Sequence, residues 1–422
     1  MNNPLSSYQA VCRPGSGAGA FFASILVWGV GIGCFAAAFN NFLVETYDIN
    51  GFDRGVLEFL RETPGVLLVA IFAALGRFSD WKVLRIGTAC SLVAAVLLLV
   101  PVRWAWAVAF IVIWALGDHL VMPVRQSLAL SIAREGRSGE SLGIVTGAIS
   151  AGIVAGSVLV AAIFYLGVRF WADAPRRALY DATWVLVALL LAASLAVAGA
   201  VKEPGVMKRA RPSFYFRRKY AKFYVLELFY GARKQVFFTF GPFVLIRVYG
   251  MDTQHVAVLF AVSALFTALC GGRLIGRLVD RWGYRNVMVW DTVVLFFVCL
   301  LYGFAKDLFP PRVAVAVVCV NYILDTVLSN ASMATNLYAR TLSDSQEELT
   351  ATLSSGISVN HLVTVFYALL GGWIWDRFGP GALFATAAFM ALANSAFALT
   401  VPKPSALPSA LPRPRQGHGE QG

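Results

Sequence analysis

Charged side chains are scarce in this sequence: they make up 14% of the 422 residues, against 58% hydrophobic ones. A soluble globular chain is nearer a quarter charged and half apolar, so an ordinary water-soluble protein is excluded and the bilayer becomes the natural solvent. The mean hydropathy, +0.69, says the same. Cysteine is thinly spread as well. Cys12, Cys34, Cys90, Cys270, Cys299 and Cys319 lie scattered, mostly inside apolar runs, with no CxxC pair and no metal-ligand spacing. They read as small buried hydrophobes rather than as a disulfide or metal framework. No Walker loop, dinucleotide fingerprint, zinc spacing or nucleophile elbow occurs. ATP-driven transport and membrane enzymology therefore lack their usual residues, and neither a cofactor nor a metal is expected. Asn330-Ala331-Ser332 matches a glycosylation acceptor but sits within an apolar run, out of reach.

A formal charge of +12 raises the question of nucleic acid. The Lys and Arg residues fall in short interruptions between apolar runs, as in the cytoplasmic loops of a membrane protein, so no nucleic-acid partner is expected.

What the chain does have is long apolar runs. Crossing the hydrocarbon takes about 20 apolar residues as a helix, and only helices or closed barrels satisfy their backbones there. Twelve candidates are present. The first six are Ala20 to Leu43, Gly55 to Phe78, Val83 to Val100, Trp106 to Ala129, Leu142 to Val168 and Leu179 to Val201. The second six are Phe223 to Ile246, Val256 to Leu278, Val287 to Phe304, Val313 to Asn336, Leu353 to Trp375 and Ala382 to Val401. The fold class expected is all-α integral membrane. The first run is too long for a signal-peptide core and lacks a strongly basic leader, so it reads as a retained helix.

Basic residues set the expected orientation, since Lys and Arg in short loops stay cytoplasmic. Between the sixth and seventh runs lie Lys202, Lys208, Arg209, Arg211, Arg217, Arg218, Lys219 and Lys222 against one acid, Glu203. That loop is placed inside, and an even number of crossings puts both termini inside too. The outer loop with Glu45, Asp48 and Asp53 agrees, whereas Arg169, Arg176 and Arg177 fall outside against the rule. The chain then divides into a cytoplasmic N-terminus (1–19), a first bundle (20–201), a basic linker (202–222), a second bundle (223–401) and a disordered cytoplasmic tail (402–422), whose Pro, Ser, Gly and charges bury little apolar area.

The stretch from Gly276 to Arg285 is a burst of charge between two apolar runs, and it has a partial copy at a constant offset of 200 residues. Gly76, Arg77, Asp80 and Arg85 answer Gly276, Arg277, Asp280 and Arg285. Asp118 answers Asp325, and Arg169-Phe170 answers Arg377-Phe378, at a slightly larger offset. One unit is written twice, the device by which transporters place a site between two halves.

With twelve runs, a long central basic loop and G-x-L-x-D-R-x-G-R/K-R/K between runs two and three and again between eight and nine, the chain resembles the major facilitator superfamily. The second copy matches at Gly276, Leu278, Asp280, Arg281, Gly283 and Arg285; the first keeps Gly76, Asp80 and Arg85 but has Val83 in place of glycine and Trp81 in place of a base. The resemblance implies two pseudo-symmetric six-helix bundles and a cytoplasmic latch formed by Gly76, Asp80, Arg85, Gly276, Asp280, Arg281, Gly283 and Arg285, stronger on the more complete second copy. Gly143, Gly152 and Gly156 fit the start of the family's antiporter signature, but Ser157 replaces its proline and Val160-Ala161 its glycine pair, so close helix packing is the reading kept. The family's R-x-x-Q-G pattern is absent after Arg125.

In that family helices one, four, seven and ten line the central cavity. An ionisable residue deep in the bilayer costs roughly 3 kcal/mol on insertion scales, so each one reads as functional or paired. The cavity candidates are Asn40 and Asn41 on run one; Asp118, Arg125 and Gln126 on run four; Arg233, Lys234 and Gln235 on run seven; and Asn321 and Asp325 on run ten. Asp118 and Arg125 are seven apart, as are Glu227 and Lys234, which places each pair on one helical face and leaves internal ion pairing open beside a role in binding. The proton-coupling candidates are Asp118, Asp325, Glu58, Glu62 and Glu227, with Glu58, Arg61 and Glu62 also readable as an outer gate. His119 joins the deep polar groups of run four, and His361, Asn360 and Asp291 stay ambiguous.

The expected function is proton-coupled secondary active transport by alternating access, with a small organic anion or zwitterion as cargo because the deep bases slightly outnumber the deep acids. Efflux of amphipathic drugs is the alternative in the same class. A non-transporting sensor or scaffold, or a membrane enzyme built on Asp118, His119 and Asp325, is the alternative from another. The expected partners are a small-molecule substrate, protons and the lipid bilayer, with the protein acting as a monomer in a bacterial plasma membrane and not as an enzyme.

Overall fold

The computed structural model describes residues 11–13, 15–135, 137–171, 173, 175–201 and 216–403. The cytoplasmic N-terminus, the basic linker and the tail expected from sequence lie mostly outside the described residues.

Fourteen α-helices carry the described chain, with no strand among the described residues. They are α1 (Ala18–Tyr47), α2 (Gly51–Val66), α3 (Leu68–Ala74), α4 (Asp80–Leu97), α5 (Trp104–Ile132), α6 (Ser138–Phe170), α7 (Arg176–Gly199), α8 (Ala221–Gln235), α9 (Gly241–Arg247), α10 (Thr253–Phe266), α11 (Gly272–Leu308), α12 (Pro311–Leu328), α13 (Ser332–Leu342) and α14 (Gln346–Ala398). Among the described residues, seven helical stretches are long and apolar enough to cross a membrane.

Several of the expected runs are interrupted, each break having a local cause. Pro64 lies just before the junction of α2 and α3 at Leu67. A π-helical turn, Val236–Phe240, joins α8 to α9, and another, Thr267–Gly271, joins α10 to α11. The run expected over Val313 to Asn336 breaks into α12 and α13 at a 3₁₀ turn, Ser329–Ala331, where Ser329 Oγ and Asn330 Nδ2 donate to the carbonyl of Thr326. Side chains that offer the backbone such alternative bonds loosen helices. Within α11 and α14 the chain reverses at Gly283 (φ 77, ψ 154) and Gly379 (φ 85, ψ 169).

The two signature copies turn differently. Gly283 occupies backbone space that only glycine enters without strain. In the first copy the turn comes earlier: Ser79 caps α4, its Oγ accepting from the Lys82 amide at 3.2 Å, so Val83 is already helical and needs no such freedom. The missing glycine is thus a displaced turn rather than a damaged one.

In the first half of the chain α1 packs on α6 and α7, and α4 on α5 and α7; in the second, α11 packs on α12 and α14, and α8 on α14. Gly152 and Gly156 let α6 lie directly on α1: a Cβ at Gly156 would fall 2.2 Å from the Val30 carbonyl oxygen. Gly143 and Gly147 have nothing within reach of an added Cβ.

The halves meet chiefly through α2 on α14 and α6 on α10. At the end of the molecule that carries Asp48 the seam is dense with bonds between the halves. Asp376 accepts from the amides of Gly51 and Phe52, both at 2.9 Å. Arg247 pairs with Asp48 at 2.7 Å, Arg176 with Asp252 at 2.8 Å, and Asn41 Nδ2 donates to the Met251 carbonyl at 2.9 Å. Arg176 and Arg177, which break the positive-inside pattern, are engaged here: Arg176 in the seam and Arg177 with Asp181 at 2.7 Å.

Candidate transport cavity

Away from that seam the halves separate around a cavity of about 600 Å³. Its walls come from α2 and α3 (Gly65, Leu68, Phe72), α5 (Met122, Gln126, Ser127), α8 (Phe223, Glu227, Tyr230, Lys234), α13 (Ser332, Asn336) and α14 (Ser354, Ser358, Asn360, His361). Ser127 donates to Asp80 at 2.5 Å, so the cavity reaches the end of the molecule bearing the signature segments. A smaller chamber of about 150 Å³ lies next to it, sharing Met122, Lys234 and His361 and adding Arg61, Glu62, Asp118, His119, Gln235 and Thr364.

Local sequence shapes these walls. Pro123 within α5 removes an intrahelical hydrogen bond beside the lining residues Met122 and Gln126. The π turn of Val236–Phe240 begins directly after Lys234 and Gln235, and Gln235 Nε2 donates to Thr239 Oγ1 across it at 2.6 Å. Such turns re-aim side chains and recur at functional sites.

Of the residues singled out from sequence, Asp118, Gln126, Glu227, Lys234, Gln235 and Glu62 line one chamber or the other. Neither seven-residue spacing produces an ion pair. Arg125 lies over the Trp28 ring, 5.4 Å from its centre. Arg233 instead pairs with Asp325 at 3.6 Å, behind the cavity wall, and its Nη1 and Nη2 have no hydrogen-bond partner. Asn321 bonds back to the Val317 carbonyl, and Asn40 and Asn41 are buried towards the seam. Glu58 is clamped between Arg54 and Arg61, 2.7 Å from each.

The signature bases fasten helices within their own halves. Arg85 donates to the carbonyls of Ala198 and Val201, both at 2.9 Å, at the end of α7; Arg285 donates to that of Leu399 at 2.6 Å, at the end of α14. Two carbonyls are held in the first half and one in the second. Gly76, Gly276, Asp280, Arg281 and Gly283 lie at the same end of the molecule.

One constellation had no signal in the sequence. His361 Nδ1 lies 3.0 Å from Glu62 Oε2, and His119 Nε2 lies 3.8 Å from the same oxygen. The three come from α14, α2 and α5, hundreds of residues apart in part, so no spacing could announce them. Gly65 makes room: a Cβ there would fall 2.7 Å from His119 Nε2 and 3.0 Å from His361 Nδ1.

Residues 59–355 match the sequence profile of the Major Facilitator Superfamily, most of the chain. The chain belongs to the major facilitator superfamily. Solved structures of the superfamily fold overlay it at low identity. A mutant of the nucleoside transporter NupG gives a TM-score of 0.71 at 13% identity, covering 91% of this chain and 99% of that one. A POT family transporter in complex with a thioalcohol-conjugated peptide gives 0.73 at 10%, covering 91% and 95%. A D-xylose-proton symporter gives 0.69 at 12%, covering 94% and 98%. A comparison with curated proteins finds no matching sequence. As a superfamily member, the chain is a transporter built of membrane-crossing helices.

Proposed function

We propose that this superfamily member is a secondary active transporter that carries a small zwitterionic or anionic solute by alternating access, across twelve membrane spans. The observation that carries the reading is the cavity between the halves, closed by the Asp376 and Arg247 seam at one end and extending to the signature segments at the other. With the signature segments and both termini on the cytoplasmic side, as the basic residues favour, this is an inward-facing state.

Both charge signs face the main chamber: Lys234 suits a carboxylate and Glu227 an ammonium group, and the hydroxyls and amides of Ser354, Ser358, Asn336, Asn360 and Gln126 surround them. Preplaced polar groups in an otherwise apolar pocket fix orientation and specificity. The test is flux into proteoliposomes with a panel of amino acids, short peptides, nucleosides and sugars, comparing wild type with Lys234→Ala and Glu227→Gln. A carboxylate-bearing cargo should lose at least tenfold in apparent affinity with Lys234→Ala. A cargo that both variants carry normally would remove these residues from the site. Amphipathic drug efflux is the second reading, supported by Phe72, Phe223, Tyr230, Leu68, Leu353 and Ile357 in the same walls; saturable drug flux indifferent to Lys234 would favour it.

Proton coupling is assigned to Asp325 with Arg233. Asp291, Tyr230, Tyr302, Tyr322 and Cys299 surround the pair, and the guanidinium nitrogens left without hydrogen bonds give a carboxylate one state in which it is held and another in which it is released.

A further inference from the structure

We infer that Glu62, His119 and His361 form a binding site for a divalent first-row transition-metal ion of the zinc type, at the floor of the cavity. The three ligand atoms, Glu62 Oε2, His119 Nε2 and His361 Nδ1, all lie within 4.8 Å of one another. Zinc bonds nitrogen and carboxylate oxygen at about 2.0–2.2 Å, so the edges of its tetrahedron measure about 3.4 Å. The two separations from Glu62 Oε2, 3.0 and 3.8 Å, lie on either side of that length. Rotation of the side chains that brings the two histidine nitrogens, now within 4.8 Å of each other, to that length would enclose an ion.

The tautomer of His119 points the same way. Its Nδ1 lies 2.8 Å from the Ala115 carbonyl oxygen, which can only accept, so Nδ1 carries the proton and the neutral ring turns the lone pair of Nε2 towards Glu62. In the neutral ring that lone pair faces a carboxylate oxygen, an arrangement that either a proton or a metal cation between them satisfies. A backbone carbonyl on the remote imidazole nitrogen is also how metal-bound histidines are oriented. His361 reaches the ligating form by carrying its proton on Nε2 instead of Nδ1, with no net change of charge.

Two histidines and one carboxylate suit zinc, nickel or cobalt, and leave coordination positions open to water or to a cargo atom. The chamber of about 150 Å³ beside them has room for such a ligand, and Asp118, Arg61 and Lys234 are the other charged groups that face it. Arg61 is held mainly by Glu58, at 2.7 Å against 4.0 Å to Glu62, which leaves the Glu62 oxygen turned to the histidines. The ligands belong to both halves: Glu62 and His119 to the first, His361 to the second. A bound ion would therefore tie the halves together just inside the seam and favour the form closed at the Asp48 end. Nothing here depends on the nature of the organic cargo.

The test uses tag-free, full-length protein in nanodiscs, stripped with a chelator, in which His255 and His418 are replaced by alanine to remove the other histidines. Zinc is titrated against a chromophoric chelator, and cobalt(II) is added for its visible d–d absorption. One ion per chain is expected, with a low-symmetry nitrogen and oxygen spectrum. His361→Ala and His119→Ala should each weaken zinc binding at least tenfold and abolish the cobalt spectrum. Glu62→Gln, which keeps size and a hydrogen-bonding oxygen, should also weaken it while the protein remains monodisperse. Absence of one-to-one binding, or affinity and spectrum unchanged in the two histidine variants, overturns the site. Organic-solute flux that persists after chelation would separate that failure from any failure of the transport reading.

Discussion

Asp376, on α14, receives the backbone amide of Gly51, the first residue of α2, at 2.9 Å, and that of Phe52 at the same distance. A carboxylate of the second half thus neutralises the N-terminus of a helix in the first, where unpaired amides and the helix dipole favour negative charge. Asn50 completes the local cap through its side chain and Asp53. Loss of a capping side chain costs about 0.5–2 kcal/mol, and about 1.4 kcal/mol is tenfold in an equilibrium. Asp376→Ala should therefore raise the population open at the Asp48 end several-fold. Alkylation of Ile49→Cys, buried at this seam, by an impermeant maleimide should accelerate to match; an unchanged rate would contradict the role.

Arg85 and Arg285 brace the ends of α7 and α14 against the turns that begin α4 and the second limb of α11. Hydrogen bonds from charged groups contribute about 1.5–3 kcal/mol each. Arg85→Ala should lower the unfolding temperature more than Arg285→Ala, because it releases two carbonyls rather than one. Equal shifts in detergent, or a larger one for Arg285→Ala, would count against this account.

Gly283 and Val83 hold equivalent places in the repeat and have opposite requirements. Gly283→Ala forces a side chain into a glycine-only conformation, at a cost on the order of 1–3 kcal/mol. Val83→Gly removes a buried side chain from a helix and should also destabilise, by loss of packing and helix propensity rather than by relief of strain. If the turns were alike in the two halves, Val83→Gly would stabilise. Thermal unfolding of both variants decides.

Asp325→Asn should uncouple transport from protons. Uptake driven by an imposed pH gradient is expected to fall to the level of an ungraded control, while exchange of solute at equal concentrations continues. Asp118→Asn, whose residue lines the smaller chamber apart from Arg233, should retain the response to the gradient. A gradient response kept by Asp325→Asn would move the coupling elsewhere.

The helices were legible because apolar runs of membrane length are a one-dimensional signal, and the duplicated Gly-Asp-Arg pattern marked equivalent turns between them. Side-chain partners were not. Spacing suggested Asp118 with Arg125 and Glu227 with Lys234, yet position on one helical face does not choose between a neighbour on the same helix and one across the bundle. Arg233 found Asp325 on another helix, and Arg125 found the face of Trp28. Glu62 meets His119 and His361 only because Gly65 leaves space and α2 lies against α14. Contacts of that kind depend on how helices are arranged in three dimensions, which no local pattern encodes. Arg176 and Arg177 show the same effect, Arg176 meeting Asp252 across the seam and Arg177 meeting Asp181 one turn along its own helix.

The central claim is that the halves rock about the cavity so that one end opens as the other closes. Spin labels at Arg137 and Asp344 report the signature end, and labels at Asp173 and Lys306 the Asp48 end, with distances between electron spins read in nanodiscs. In the background of Asp376→Ala with Arg247→Ala, the account predicts a longer distance at the Asp48 end together with a shorter one at the signature end. Opening of the seam with no change at the signature end would contradict it.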